Sequence, residues 1–360
     1  MPPYLSGRKP WFVFLVHPRG TEDLDRYESM RFLRHYSDSE EEFLAKAYSM
    51  PPLVAAQLVF DSSPVTGELI SILRSPESMT SPKAREDVLE AFDVAVSRGT
   101  RVVGLGALTS PASGAGQTLL EYAPKGLTIT TGNAYTAAVV RQNVLEASEA
   151  LALGKDARVA VVGCTGSVGS AASHLLAEAG FRLILVGRTA KRASHLLQEL
   201  AERATFTGDL GSLANADIVI LLTSDSTALV QPDMVSPGAV IIDCAQPANV
   251  PAQRYADFAA RGVRVVEGGI VQVPQFQCAY DFGFSGRHET FACMAETFLF
   301  AREGILEHSV GRASPDLARR VERLAAKRGI SPRPLGLAPS WESPVDERDQ
   351  LRAAAVGTAG

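Results

Sequence analysis

The sequence predicts an α/β protein whose centre is a doubly wound parallel sheet, and three observations carry that reading. Short apolar, β-branched runs recur at "RVAVVG" (158–163), "FRLILVGR" (181–188), "DIVILLT" (217–223), "GAVIIDC" (238–244) and "VRVVEGG" (263–269). Helical stretches, "VGSAASHLLAEAG" (168–180) and "RASHLLQELAER" (192–203), separate the first three. Continuous apolar strands alternating with amphipathic helices belong to a parallel sheet covered on both faces, with right-handed crossovers. The third observation is a glycine string at the first strand-to-helix turn, in the position a Rossmann-like domain uses for a nucleotide.

Upstream, residues 1–132 carry their own α/β pattern. A strand at "FVFLVH" is followed by a helix around "SEEEFLAKAYS" and a hairpin across "QLVFDSSPVTGELISIL". A helix, "KAREDVLEAFDVAVSRG", and a strand, "RVVGLGAL", complete it. This suffices for an N-terminal α/β domain with its own core. A helical pattern over 133–154, ending in Gly and Lys, reads as a link to the Rossmann-like domain of 155–275. Residues 276–336 read as a C-terminal helical segment, opening with the loop "QVPQFQCAYDFGFSG" and ending with the arginine-rich "PDLARRVERLAAKRG". Residues 337–360 mix Pro, charge and small residues without periodicity and are expected to be a disordered tail.

With 360 residues, 46% hydrophobic, the chain can bury a sizeable core in two or three domains. Its net charge of −5 provides no overall basic field, which argues against nucleic acid as a partner. "WFVFLV" is too short for a signal core or a bilayer span, so no stable membrane span is expected and the expected location is the cytoplasm. Cys164, Cys244, Cys278 and Cys293 lack CxxC pairs and read as free thiols. His288 with Cys293 comes nearest to a zinc pair, and two ligands without a second pair do not make a site, so no metal is expected.

"VAVVGCTGSVGSAA" places Gly163, Gly166 and Gly169 at the turn, with Thr165, Ser167 and Val168 between them. The missing side chains let a pyrophosphate approach the backbone at a helix N-terminus, where free N–H groups and the helix dipole favour an anion. The second strand ends "VGRTAKR", with Arg188, Thr189, Lys191 and Arg192 where an NAD-preferring protein carries an acid against the ribose. That cluster suits a 2′-phosphate and points to NADPH. Its bland alternative is a solvated basic helix start. Thr223, Gly268 and Gly269 end strands on the carboxyl side of the sheet, where ligands of such folds bind.

No Tyr-x-x-x-Lys pair follows Gly163, so carbonyl reduction by a tyrosine and lysine finds no support. Cys293, in "FACMAETFLF" (291–300), is the candidate nucleophile. A thiolate exchanges one thioester for another at little cost, and a helix N-terminus or nearby cations such as Arg287 and His288 would favour it. A cysteine among Phe291, Ala292, Met294 and Ala295 is by spacing more often inert core than a nucleophile. Glu296 reads as a general acid or as a residue that caps or solvates its helix. Thr131, Gly132 and Asn133 sit at a strand-to-helix turn, where their polar groups either face the nicotinamide or the thioester oxygen or leave Asn133 as an ordinary helix cap, and His17 reads as a structural histidine.

Several motifs together resemble the aldehyde-forming acyl-[acyl-carrier-protein] reductases, best known from cyanobacteria, and look closer to their relatives in other bacteria. They are "FLVHPR" (14–19), "VVGLGALTS" (102–110), "TTGNAYT" (130–136), "VAVVGCTGSVGSA" (159–171), "VVEGGIV" (265–271), "DFGF" (281–284), "FACMAET" (291–297) and "SVGR" (309–312). The resemblance implies that Cys293 takes an acyl chain from an acyl carrier protein, that NADPH reduces the enzyme thioester, and that a free aldehyde leaves. It also implies an acyl-substrate role for the N-terminal domain. The chain departs from the cyanobacterial pattern at Tyr135, where those enzymes carry histidine, and in a shorter segment before Cys293. Two other readings stay open: an NADP-dependent oxidoreductase on a small carbonyl or alcohol without a covalent intermediate, and a non-catalytic NADP(H)-binding protein. Oligomeric state, chain length, and carrier protein against CoA are not legible.

Overall fold

A computed structural model describes residues 9–224, 230–286 and 288–337. Residues 338–360 and Arg287 lie outside the described residues, and with them the expected tail. The chain divides into two compact units, one of residues 1–139 with 269–333, the other of 140–268 with the segment from 334.

The first unit begins with β1 (Phe12–Val16), α1 (Glu28–His35), α2 (Glu40–Ser49), β2 (Leu53–Val59) and β3 (Thr66–Ser71). It continues with α3 (Ala84–Ser97), β4 (Val102–Leu105), α4 (Thr109–Ala112), β5 (Thr128–Thr130) and the start of α5 (Asn133–Ala150). The second unit holds β6 (Arg158–Val162), α6 (Ser167–Glu178), β7 (Arg182–Val186), α7 (Ala190–Leu200) and β8 (Ala204–Thr207), then β9 (Ile218–Leu221), β10 (Val240–Asp243), α8 (Tyr255–Ala259) and β11 (Arg264–Glu267). The chain then returns to the first unit through β12 (Ile270–Gln272), β13 (Gln277–Cys278), β14 (Glu289–Phe291), α9 (Ala292–Glu303), α10 (Pro315–Lys327) and β15 (Ser331–Pro332).

In the second unit the strand order β11-β10-β9-β6-β7-β8 is wholly parallel and reverses direction of growth between β6 and β9, the doubly wound arrangement. The edge strand β8, "ATFT", is too short to show as an apolar run. In the first unit the order is β13-β2-β3-β1-β4-β5. Strands β3, β1, β4 and β5 run parallel, and β2 and β13 are antiparallel additions at one edge.

Alternation along β1 shows how the first unit packs. Val13 and Leu15 join Val88, Ala91 and Phe92 of α3 in a core on one face of the sheet. Phe12 and Phe14 face the other way, onto α9. Phe298 of α9 stacks on Phe60 at 4.6 Å and meets Phe12 edge-on at 6.2 Å. Such pairs contribute about 0.5–1.5 kcal/mol each beyond their burial. Gly104 on β4 permits the close approach, since a Cβ there would lie 2.0 Å from Thr297 Oγ1.

The sequence divided the chain at 132, 154 and 275, and the contacts draw the boundaries elsewhere. α5 is not a free link, because its first turns belong to one unit and the rest to the other. Residues 276–333 are not a separate helical segment: α9 completes the core of the N-terminal unit, and β14-β12-β15 form a small antiparallel sheet beside it. The physical reason is burial. α9 is apolar on nearly every side, and such a helix must be covered all round.

His17 closes β1 as a structural histidine. Its Nε2 accepts the Leu108 amide at 3.1 Å, so its proton sits on Nδ1, which donates to the Pro18 carbonyl at 2.7 Å. Burial lowers its pKa from 6.5 to about 4.

Two outcomes follow from this packing. Gly104→Ala, which forces Thr297 aside, is expected to destabilise the protein by about 1–3 kcal/mol in urea unfolding. Because the unfolded His17 takes up a proton that the folded one refuses, stability falls as pH drops from 6.5 towards about 4. The loss is roughly 3 kcal/mol at about 1.4 kcal/mol per pH unit, and unfolding midpoints measured across that window check it.

Candidate functional site

The second unit carries a cavity of ≈ 310 Å³ at the carboxyl ends of β6, β7 and β9. Gly163, Thr165 and Gly166 line it from the first turn, Arg188 and Arg192 from the end of β7 and the start of α7, and Thr223 from the end of β9. The glycine turn is built as the motif requires. Gly163 has φ +88°, and a Cβ there would sit 2.9 Å from the Leu222 carbonyl carbon. Gly169 lets α6 close on the turn, since its Cβ would lie 2.3 Å from the Gly163 carbonyl oxygen. Gly166 is the N-cap of α6 and Ser167 and Val168 open that helix, so their N–H groups stand at its positive end.

Thr189 caps α7 in extended conformation, between the two arginines. Arg188 and Arg192 thus stand at the wall where the adenosine ribose of a dinucleotide lies in this fold, and no acid of the NAD type occupies the end of β7. The cradle fits a dinucleotide with a 2′-phosphate.

Gly268 and Gly269 do not line this cavity. Gly268 is small for packing: a Cβ there would meet Cys244 Sγ and Ile242 Cγ2 at 2.5 Å. Gly269 belongs to the other unit, takes φ +72°, and accepts the Ala292 amide at 3.0 Å. Gly268 thus has a packing role beside Cys244 and Gly269 a backbone role in the turn into β12.

In the first unit, Cys293 is the second residue of α9, just after the N-cap Phe291 and Ala292. Its side chain keeps partial exposure. Burial pushes the thiol up to about 12, the nearby Met294 amide opposes that rise, and the charge of Glu296 adds to it. At neutral pH the resting sulfur is therefore protonated. The thiols of Cys164 and Cys278 are likewise raised by burial, to about 11 and about 12.

The turn that follows β5 presses on this cysteine. Gly132 has φ +70°, and a Cβ on it would lie 2.2 Å from Cys293 Cβ and 2.3 Å from its Cα. Thr131 is buried, its amide bound to the Ser309 carbonyl at 2.9 Å. Tyr135 is also buried, its hydroxyl raised by burial. Asn133 is half-buried at the first turn of α5, and the acceptor for that turn is not Asn133 but Glu296 on α9. Glu296 is fully buried rather than solvated, accepting the Thr130 hydroxyl at 2.5 Å and the Tyr135 amide at 2.6 Å. Nothing local in the sequence signals a cap supplied from 161 positions away.

His288 is committed to the Phe276 carbonyl at 3.1 Å. Among the described residues no group of three or more His, Cys, Asp or Glu is placed to hold a metal ion, and no helix is long and apolar enough to cross a membrane.

The family model for shikimate / quinate 5-dehydrogenases matches residues 146–261, the stretch that holds the dinucleotide cavity. Among curated proteins, the chain is 28% identical over 261 residues to the aminotransferase PigE of a Serratia species, covering 69% of this chain and 30% of that protein. The chain thus spans less than a third of that relative. It is also 28% identical over 293 residues to the long-chain acyl-[acyl-carrier-protein] reductase of Synechococcus elongatus, covering 75% of this chain and 82% of that protein. Among solved structures, shikimate dehydrogenase from Aquifex aeolicus aligns over 87% of this chain and 98% of that one, with 9% identity and a TM-score of 0.40.

Fold, cavity and matched sequence together define an NAD(P)-dependent oxidoreductase of Rossmann-like architecture. Its dinucleotide is NADPH, and the glycine turn and the basic end of β7 line the cavity offered to such a ligand.

Replacing Arg188 and Arg192 together with alanine removes two charge-assisted contacts at about 1.5–3 kcal/mol each. NADPH affinity, followed by nicotinamide fluorescence, is expected to fall at least ~10-fold while NADH affinity changes little.

Proposed function

We propose that the protein reduces an acyl thioester to the free aldehyde with NADPH, through an acyl group held on Cys293, and that the thioester is presented by an acyl carrier protein. The observation that carries this reading is the place of Cys293: a partly exposed residue in the first turn of the buried helix α9, with the Gly132 turn packed against it. The similarity to the acyl-[acyl-carrier-protein] reductase of S. elongatus, which runs over most of that protein's length, supports the same chemistry.

Cys293 sulfur attacks the thioester carbonyl carbon, forming a new C–S bond. The carrier thiol is expelled and takes up the proton that Cys293 gives up. When bound, NADPH supplies a hydride to the acyl carbon. The oxyanion formed on the Cys293 adduct collapses, breaks the C–S bond, and releases aldehyde and the Cys293 sulfur. One thioester, one NADPH and one proton thus yield one aldehyde, one free thiol and NADP⁺. A sulfur that rests protonated suits an enzyme that must avoid alkylation and oxidation between turnovers.

The match to the shikimate / quinate dehydrogenase model favours a second reading, an oxidoreductase on a small carbonyl or alcohol in which Cys293 is packing. Incubation with acyl-carrier protein and no NADPH separates the two. One acyl mass should appear on wild-type enzyme at Cys293, and Cys293→Ala and Cys293→Ser should abolish both adduct and aldehyde. Wild-type turnover without an adduct, or near-normal activity of Cys293→Ser, favours the second reading.

A further inference from the structure

Glu296 has no exposed surface and lies three residues beyond Cys293 on α9. A buried carboxyl is costly unless its lone pairs are taken up. Here Oε1 accepts the Thr130 hydroxyl at 2.5 Å and Oε2 the Tyr135 amide at 2.6 Å, and the nearby Ala134 amide and Ser309 side chain also favour its charge. Burial pushes the Glu296 carboxyl upward and these four partners oppose it. The two amides can only donate. The Thr130 hydroxyl oxygen already accepts the Gly132 amide at 3.0 Å, so its proton points to Glu296. This surrounding suits the carboxylate form.

Ala134 and Tyr135 belong to the first turn of α5, so a side chain of α9 caps the helix whose N-cap glycine presses on Cys293. A chain of bonds runs from Glu296 through Thr130 to Gly132. Through it the carboxylate is tied to the backbone that touches the sulfur-bearing residue.

We propose that Glu296 is a positioning residue for acyl transfer at Cys293: it seats the Gly132 turn against the nucleophile and places a carboxylate one helical turn from the sulfur. The acyl-transfer part rests on the function proposed above. Other titratable groups at this junction are Tyr135 on α5, Glu322 on α10, which acts on Tyr135, and His308, whose Nδ1 accepts the Ile129 amide at 3.1 Å. Glu296 is the charged side chain that acts on the sulfur.

Iodoacetamide alkylation of Cys293 against pH, read by peptide mass spectrometry, reports the thiol without any substrate. Glu296→Gln keeps the shape and removes the charge. Its alkylation profile should move to lower pH by about one unit or more, and aldehyde formation should fall ~10-fold or more with the thioester KM changed less than about threefold. Thr130→Val keeps the charge and cuts the link to Gly132: aldehyde formation falls while the alkylation profile stays within about half a pH unit of wild type. A folded Glu296→Gln protein whose alkylation profile overlays wild type overturns the charge effect. Should that variant fail to fold, Thr130→Val decides, and wild-type aldehyde formation in it overturns the positioning role. A wild-type enzyme with no acyl adduct at Cys293 defeats the acyl-transfer reading alone, and the alkylation comparison still stands.

Discussion

The backbone of Gly132 and the Cα–Cβ unit of Cys293 occupy a space that admits no additional atom, and the junction of β5, α5 and α9 is built on that contact. It brings the amino ends of two helices, α5 and α9, to one point. Each such end carries about half a positive charge, so their meeting is unfavourable in a dry interior without a counter-charge. The buried carboxylate between them removes the conflict and satisfies amides that would otherwise be stranded.

The dinucleotide unit solves a different problem with the same means. Its ligand is already an anion, so the glycine turn of β6 and α6 leaves amides open rather than capping them with a side chain. Positive side chains stand one strand over, at the end of β7, where they lengthen the reach of that field towards the ribose. One unit thus neutralises its helix ends internally and the other leaves them for a ligand.

How much of this was legible in the sequence depended on distance along the chain. The β6 turn with its glycines reads directly, because strand, turn and helix follow one another without interruption over Arg158–Glu178 and each glycine answers to a local steric demand. The basic end of β7 reads for the same reason. The edge strand β8 and the helix α1 did not read, since four mixed residues or a mostly polar octamer lack a decisive period. The cap on α5 was invisible, because Glu296 and Tyr135 are brought together only by tertiary packing. Gly268 and Gly269 show a second limit: a glycine pair after a strand suggested a ligand, while the packing of the first against Cys244 and Ile242 and the turn of the second into β12 depend on residues the local pattern does not name. Domain limits failed likewise, because periodicity reports neighbours in sequence and a unit is defined by neighbours in space.

The return of residues 269–333 to the first unit has a bearing on how the polypeptide is made. The strands of that unit leave the ribosome first, yet the aromatic face formed by Phe12 and Phe60 waits uncovered until Phe298 emerges. The interposed dinucleotide unit is contiguous over 140–268 and can complete its sheet during that interval. Vectorial synthesis therefore builds the second half of the molecule before the first is finished, and a nascent chain halted before α9 exposes a sheet face that is a natural target for a chaperone.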